Sequence, residues 1–306
     1  MESQKKQLIA ITGPTAVGKT ALTVNLAKAL QCAIFSCDSR QFYREMNIGT
    51  AKPKYHEMQG VPHHFIDSHS IDKAITAGEY EREIIPALES YFENNSVAIL
   101  TGGSGLYLDA VIHGIDDIPP VDPDIEKELE IDLGVGGIQS LQEELYQQDP
   151  EYYNQIDIFN PRRLTRALGV IRSTGKPFSS FHDKHGKTRS FRTDLHVLNR
   201  EREVLYTRIN QRIDAMLEAG LVDEARSLYD LKDNKVLRTV GYQELFDHFD
   251  GKLGYDTAVE SIKRNSRRYA KRQLTWFKRY DQAQWHLLKD ENEDKILDEL
   301  ILRYKA

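Results

Sequence analysis

Two glycines five residues apart open the part of this chain best equipped for chemistry. They bound the octet Gly13-Pro14-Thr15-Ala16-Val17-Gly18-Lys19-Thr20. Glycine lets consecutive backbone N–H groups converge on an anion, Lys19 adds a point charge, and the Thr20 hydroxyl is a ligand for Mg²⁺. The octet follows an apolar run, Leu8-Ile9-Ala10-Ile11, and precedes leucines at helical spacing, Leu22, Leu26 and Leu30. Strand, loop and helix in that order are what a phosphate-cradling P-loop requires, with the helix N-terminus aimed at the same anion. A phosphorylated ligand is therefore expected.

A second candidate group ends the next apolar run. Ala33-Ile34-Phe35-Ser36 reads as a buried strand and leads into Cys37-Asp38-Ser39. A nucleotide hydrolase would need a carboxylate here for its metal and a device to orient water. Asp38 instead begins Asp38-Ser39-Arg40-Gln41-Phe42-Tyr43, a run of hydrogen-bonding residues suited to reading a substrate. A third strand, Val97-Ala98-Ile99-Leu100, runs into Thr101-Gly102-Gly103-Ser104, and a fourth, Leu195-His196-Val197-Leu198, precedes Asn199-Arg200. Strands alternating with helices predict an α/β fold, a parallel sheet flanked by helices with ligands at the carboxyl ends of its strands.

Between the third and fourth strands the composition changes twice after the linker-like Ile118-Pro119-Pro120-Val121-Asp122-Pro123. Residues 116–157 are acidic apart from Lys127, whereas in residues 162–192 the bases Arg162, Arg163, Arg166, Arg172, Lys176, Lys184, Lys187, Arg189 and Arg192 face one acid, Asp183. Leu129, Leu133, Leu141, Leu145, Leu164, Leu168 and Ile171 predict a small all-helical insertion. The expected division is a catalytic core at 1–117 and 194–306 with the insertion at 118–193. A second basic stretch, 262–279, interleaves its cations with Tyr269, Trp276 and Phe277. Two such patches in a chain of net charge −6 suggest contact with a polyanion such as RNA. The acidic residues 290–298 read as a surface helix without chemistry.

The two cysteines, Cys32 and Cys37, are too few for a disulfide framework or a four-ligand zinc site and read as small core residues. No apolar stretch reaches membrane-spanning length, and Met1 to Lys6 lead into the first strand without a signal-peptide core. A cytoplasmic monomer is expected.

Several of these motifs together resemble the bacterial tRNA dimethylallyltransferases, the IPP transferase family. Besides the P-loop and the Asp38 run, the likeness extends through Met46-Asn47-Ile48-Gly49-Thr50-Ala51-Lys52-Pro53 and Gly60-Val61-Pro62-His63-His64-Phe65-Ile66-Asp67. It continues through Gly102 to Tyr107, Asn160-Pro161-Arg162-Arg163-Leu164-Thr165-Arg166, residues 208–224, Val240-Gly241-Tyr242 and Tyr269-Ala270-Lys271-Arg272-Gln273-Leu274-Thr275-Trp276-Phe277, nearly the whole chain in order. The resemblance implies transfer of a dimethylallyl group from dimethylallyl diphosphate to N6 of adenosine 37, beside the tRNA anticodon. It implies Asp38 as general base. Residues 13–20 with Mg²⁺ on Thr20 would stabilise the leaving diphosphate.

Ser104 stands where the family has a threonine, keeping the hydroxyl, and Thr101 is a second hydroxyl candidate. Arg208 and Arg212, four apart on one helix face, are alternatives for a diphosphate contact. Contact with the anticodon stem-loop is implied for Asp38, Ser39, Arg40, Gln41, Arg162, Arg163, Leu164, Thr165, Arg166, Arg238, Gly241 and Tyr242. His63 and His64 read as structural. The zinc-finger extension of eukaryotic relatives is expected to be absent, with two cysteines and an end at Ala306. Rival readings are a P-loop kinase of a small metabolite, an isopentenyltransferase using free adenine nucleotides, and an RNA-binding module without catalysis. The basic patches weigh against the first two and Asp38 beside the P-loop against the third.

Overall fold

In a computed structural model, which describes residues 6–182 and 186–305, the chain divides into two compact units. A core unit runs to Ile112 and resumes at Arg189, and a helical unit spans His113–Thr188. Met1 to Lys5, Asp183, Lys184, His185 and Ala306 lie outside the described residues.

Among the described residues the core unit holds six strands: β1 (Gln7–Thr12), β2 (Ile34–Ser36), β3 (His63–His64), β4 (Val97–Gly102), β5 (Arg192–Asn199) and β6 (Gln284–Leu287). They form one sheet in the order β3-β2-β4-β1-β5-β6, every pairing parallel. Two of the six escape a reading of apolar runs. β3 has only two residues and β6 alternates half-buried with exposed positions at the sheet edge. Leu8 to Ile11 of β1 are wholly buried, as a central strand covered by helices on both faces must be.

The helices of the core unit are α1 (Lys19–Leu30), α2 (Tyr55–Met58), α3 (Ala77–Tyr91) and α4 (Gly105–Ile112). The helical unit contains α5 (Pro123–Gln148), α6 (Pro150–Tyr153) and α7 (Pro161–Thr174). The core then resumes with α8 (Arg202–Glu218), α9 (Leu221–Ser227), α10 (Tyr242–Phe249), α11 (Tyr255–Phe277) and α12 (Glu293–Tyr304). Thr12 of β1 is level with Gly102 of β4 and Val197 of β5, and Ser36 of β2 with Thr101. Four strands therefore deliver their following loops to one edge.

In the helical unit Leu129, Leu141, Leu145, Leu164, Leu168 and Ile171 pack with Phe178 into a separate small core, the face that the leucine spacing predicts. Helix α5 is broken at Gly137, whose φ of 68° is left-handed. Asn160 caps α7, its side chain accepting from the Arg162 N–H.

The basic stretch does not belong wholly to this unit. Arg189 is held in the core unit by Glu81 at 2.8 Å and by the carbonyls of Ala110 and Val111, and Arg192 starts β5. Both side chains of the Arg189–Glu81 pair are nearly buried, where a lone charge would be unstable. The acidic segment 290–298 also departs from its expected inert role. Ile296 and Leu300 of α12 join the main core beside Leu26 of α1, while Asp290 and Glu293 engage the buried guanidinium of Arg200.

Candidate active site

The loop between β1 and α1 is shaped by its own backbone and braced from outside. Gly13 has φ of 152°, and a Cβ there would lie 2.5 Å from the Leu198 carbonyl oxygen. Ala16 at 63° and Gly18 at 115° supply the left-handed turns of an anion nest. Three distant side chains hold three consecutive loop residues. Gln273 Oε1 accepts from the Thr15 N–H at 2.9 Å, Arg208 Nε donates to the Ala16 carbonyl at 3.0 Å, and Arg200 Nε donates to the Val17 carbonyl at 2.9 Å. Lys19 Nζ donates to the Gly13 and Pro14 carbonyls at 2.8 and 2.9 Å. Burial pulls the Lys19 ammonium down to about 8 against the opposing attraction of Asp38, with Arg212 lowering it further.

Asp38 follows the end of β2. Its Oδ1 accepts from the Arg40 N–H at 3.0 Å, and no hydrogen bond from the described residues reaches Oδ2. The charge of Asp38 is felt by Lys19, Arg212 and Tyr269, which share its surroundings. Arg212 is lowered chiefly by desolvation, with Asp38 and Glu57 acting in the other direction. The Tyr269 phenol is pushed up to about 12 by burial and by Asp38, a hydrogen bond with Ser104 opposing them. Ser104 Oγ also accepts from the Ser39 N–H at 3.1 Å and pairs with Ser39 Oγ at 3.0 Å.

A single cavity of about 1550 Å³ in the core unit connects these groups. Its wall includes Thr15, Ala16, Val17, Gly18, Lys19 and Thr20 from the loop, and Asp38, Ser39, Arg40 and Gln41 from the next strand end. Ser104, Arg208, Arg212, Arg238 and Gly241 also line it. Arg208 and Arg212 separate by partner: the first is engaged with the loop carbonyl, whereas the second shares the electrostatic surroundings of Lys19 and Asp38 and makes only a 3.5 Å contact with the Ala51 carbonyl.

Other residues singled out by sequence lie elsewhere. Gly13 and Pro14 are buried behind the cavity wall. Thr101 Oγ1 donates to the Ile11 carbonyl at 3.0 Å, a bond inside the sheet. Tyr242 is fully buried, its hydroxyl donating to Glu224 at 2.6 Å; the same carboxylate takes the N–H groups of Asn47, Ile48 and Gly49. Tyr242 thus holds a loop whose Gly49 and Thr50 line the cavity. In the helical unit Arg162, Arg163 and Arg166 are exposed on α7, Thr165 Oγ1 bonds the Pro161 carbonyl, and Leu164 is core. His63 and His64 form β3, the latter stacked on Phe35 at 4.5 Å, and burial lowers both imidazoles. Cys32 and Cys37 are buried thiols, Cys32 pushed up to about 12 by desolvation.

Gln273 and Arg200 are not singled out by sequence, and Tyr269 stands out there only as an aromatic of the basic stretch, not as a neighbour of Asp38. For the first two the only signal in the chain is membership of, or nearness to, a motif, because their partners lie up to 258 residues away. Among the described residues no group of three His, Cys, Asp or Glu side chains could hold a metal ion. The oxygen donors on the cavity wall include the Thr20 hydroxyl and the Asp38 carboxylate, and Mg²⁺ is commonly bound by one or two protein oxygens plus phosphate.

A parallel sheet with this loop between its central strand and first helix defines an α/β enzyme core of P-loop-like architecture. The family model described as IPP transferase matches residues 41–280, and the chain belongs to that family. A tRNA dimethylallyltransferase of Christiangramia forsetii is 47% identical over 95% of this chain and 96% of its own. One of Bacteroides fragilis, tRNA dimethylallyltransferase 1, is 42% identical over 96% and 97%. Among solved structures, the full-length tRNA isopentenylpyrophosphate transferase of Bacillus halodurans superposes with a TM-score of 0.71 at 38% identity, covering 98% of each chain. A eukaryotic dimethylallyltransferase solved in the course of acting on tRNA gives 0.75 at 27% identity, over 89% of this chain and 70% of that one.

Proposed function

We propose that this protein is a tRNA dimethylallyltransferase, moving a dimethylallyl group from dimethylallyl diphosphate to N6 of adenosine 37 and releasing diphosphate. The observation that carries the reading is the continuity of one cavity between an anion nest and a carboxylate, in a chain 47% identical to an enzyme of that name. The N6 amine attacks C1 of the dimethylallyl group, the C1–O bond breaks with its electron pair going to diphosphate, and the N6 proton passes to Asp38. The amine lone pair is delocalised into the adenine ring, so a base that takes the proton in the transition state should matter.

Growing charge on the leaving group is met by the loop amides, Lys19 and, on the electrostatic grounds above, Arg212. Arg208 holds the loop. Mg²⁺ would be held by Thr20 together with the diphosphate, and when bound would neutralise the leaving group. The target nucleotide must leave its stack to reach Asp38, and exposed cations of α7 together with Arg40 and Arg238 supply backbone and loop contacts. Since the substrate is tRNA, the protein works in the cytoplasm; among the described residues no helix is long and apolar enough to cross a membrane.

Incubation with unmodified tRNA and dimethylallyl diphosphate, followed by nucleoside mass analysis, is expected to show an isopentenyl increment on adenosine. Asp38→Ala should lower the rate by about 10²–10⁴-fold, the range of general-base contributions. Failure of the wild-type protein to add the increment would overturn the proposal. Release of ATP γ-phosphate without RNA would favour a kinase, and preference for AMP as acceptor a free-nucleotide enzyme.

A further inference from the structure

The proposed chemistry needs two objects at a fixed separation: the nest that grips the leaving diphosphate and the carboxylate that receives the proton. They sit on loops after different strands, β1 and β2, and no hydrogen bond among the described residues joins the loop at 13–18 directly to Asp38. One side chain spans the gap indirectly. Gln273 of α11 is 6% exposed, and its amide is used at both ends. Oε1 accepts from the Thr15 N–H at 2.9 Å, and Nε2 donates to the Gly103 carbonyl at 2.8 Å. From Gly103 the connection continues through the adjacent Ser104, whose Oγ holds both the N–H and the hydroxyl of Ser39, next in the chain to Asp38.

The surroundings are shaped to this amide. A Cβ on Gly103 would lie 2.3 Å from Gln273 Nε2, and one on Gly105 would lie 2.3 Å from the Trp276 ring, so the loop after β4 lies directly against α11 only because both positions lack a side chain. A buried primary amide satisfied at both its donor and its acceptor end has one orientation available, since rotating it by half a turn would face N–H against N–H and oxygen against oxygen. That makes it a rigid spacer.

We infer that Gln273 is a positioning residue for prenyl transfer: through Thr15 and Gly103 it fixes the distance between the diphosphate nest and the Asp38 carboxylate. The inference rests on the proposed reaction. It predicts a kinetic signature different from that of a ligand contact. Each substrate keeps its own binding groups, so affinities survive, while the reacting atoms lose their alignment; a misplacement of about 1 Å can cost about 10²-fold in rate.

The test uses the full chain and steady-state kinetics with tRNA and dimethylallyl diphosphate, each varied in turn, with thermal unfolding measured in parallel. Gln273→Met keeps length and bulk but neither hydrogen bond. Its kcat is expected to fall about 10–100-fold with both KM values within about threefold of wild type. Gly103→Ala reaches the same point from the other side, displacing the amide with Gln273 intact, and should give the same split between kcat and KM. A Gln273→Met protein that is folded and within twofold of wild-type kcat overturns the inference. So does a loss confined to KM, which would make Gln273 a ligand contact. Should Gln273→Met not fold, Gly103→Ala decides alone by the same criteria. Inactivity of the wild-type protein would instead overturn the proposed reaction.

Discussion

Helices α7 and α11 look alike as strings of amino acids, each rich in bases, yet their exposed charges stand at different places, in the first turn of α7 and along the second half of α11. On α11, two half-buried cations are tied to a neighbouring helix of the core, while Arg264, Arg268, Lys271 and Arg272 are exposed. Lys263 reaches Asp214 of α8 at 2.6 Å, Arg267 bonds Asn210 of the same helix, and Gln273 braces the phosphate loop. On α7 the far end is tied by Arg172, which bridges Glu144 and Asp132 of α5, and the middle by Arg166, which donates to the Pro119 carbonyl at 3.3 Å. Arg162 and Arg163 stand exposed in its first turn. Cations at a helix N-terminus oppose the helix dipole, so this end is locally disfavoured. A local rule broken without a local gain points to a partner, and a polyanion gains from both the arginines and the dipole. Charge density alone therefore says little about RNA contact; the position of the charge on its helix says more.

Three measurements would sharpen or break that contrast. The largest effect is expected from charge reversal at Arg163 and Arg166. We predict tRNA affinity reduced on the order of 10–100-fold at about 0.1 M salt, with a shallower salt dependence and an unaltered KM for dimethylallyl diphosphate. Equal filter binding by the variant would remove α7 from the RNA surface. Next comes Arg172→Ala, which strands two acids and should destabilise the helical unit by about 2 kcal/mol, read as faster amide hydrogen exchange in α5 and α7. If exchange is unchanged, Arg172 is not the tie that its geometry suggests.

The smallest effect concerns the loop that α11 braces. A free-enzyme ammonium at about 8 is charged below that pH and neutral above it, so kcat/KM for dimethylallyl diphosphate should fall as pH rises through 8, about tenfold by pH 9. A flat profile between pH 7 and 9 would mean Lys19 is not the charge the donor meets.

What could be read from the chain depended on whether the informative residues are neighbours in sequence. The octet at 13–20 is contiguous, and its strand and helix announce themselves by apolar runs, so loop and parallel sheet were legible together. Asp38 was legible as a carboxylate at a strand end. Tyr242 and Thr101 sit in or beside recognisable motifs, but motif membership does not distinguish a side chain facing the cavity from one bonded into the core. Strands β3 and β6 are too short and too polar for periodicity to detect, because their pairing is set by the neighbouring strand rather than by their own hydrophobicity. The role of Arg200 was hidden for a different reason: its carbonyl partner and its two acids come from opposite ends of the chain.

The contacts of Lys19 with Gly13 and Pro14 carry a last consequence. With its ammonium on these carbonyls, Lys19 clamps the curvature of the loop from inside. Donor arrival then asks one flexible side chain to change partners and asks no coil to become ordered, so little conformational entropy is lost at that moment. In the proposed reaction, departure of the diphosphate would leave the same two carbonyls to take the ammonium back.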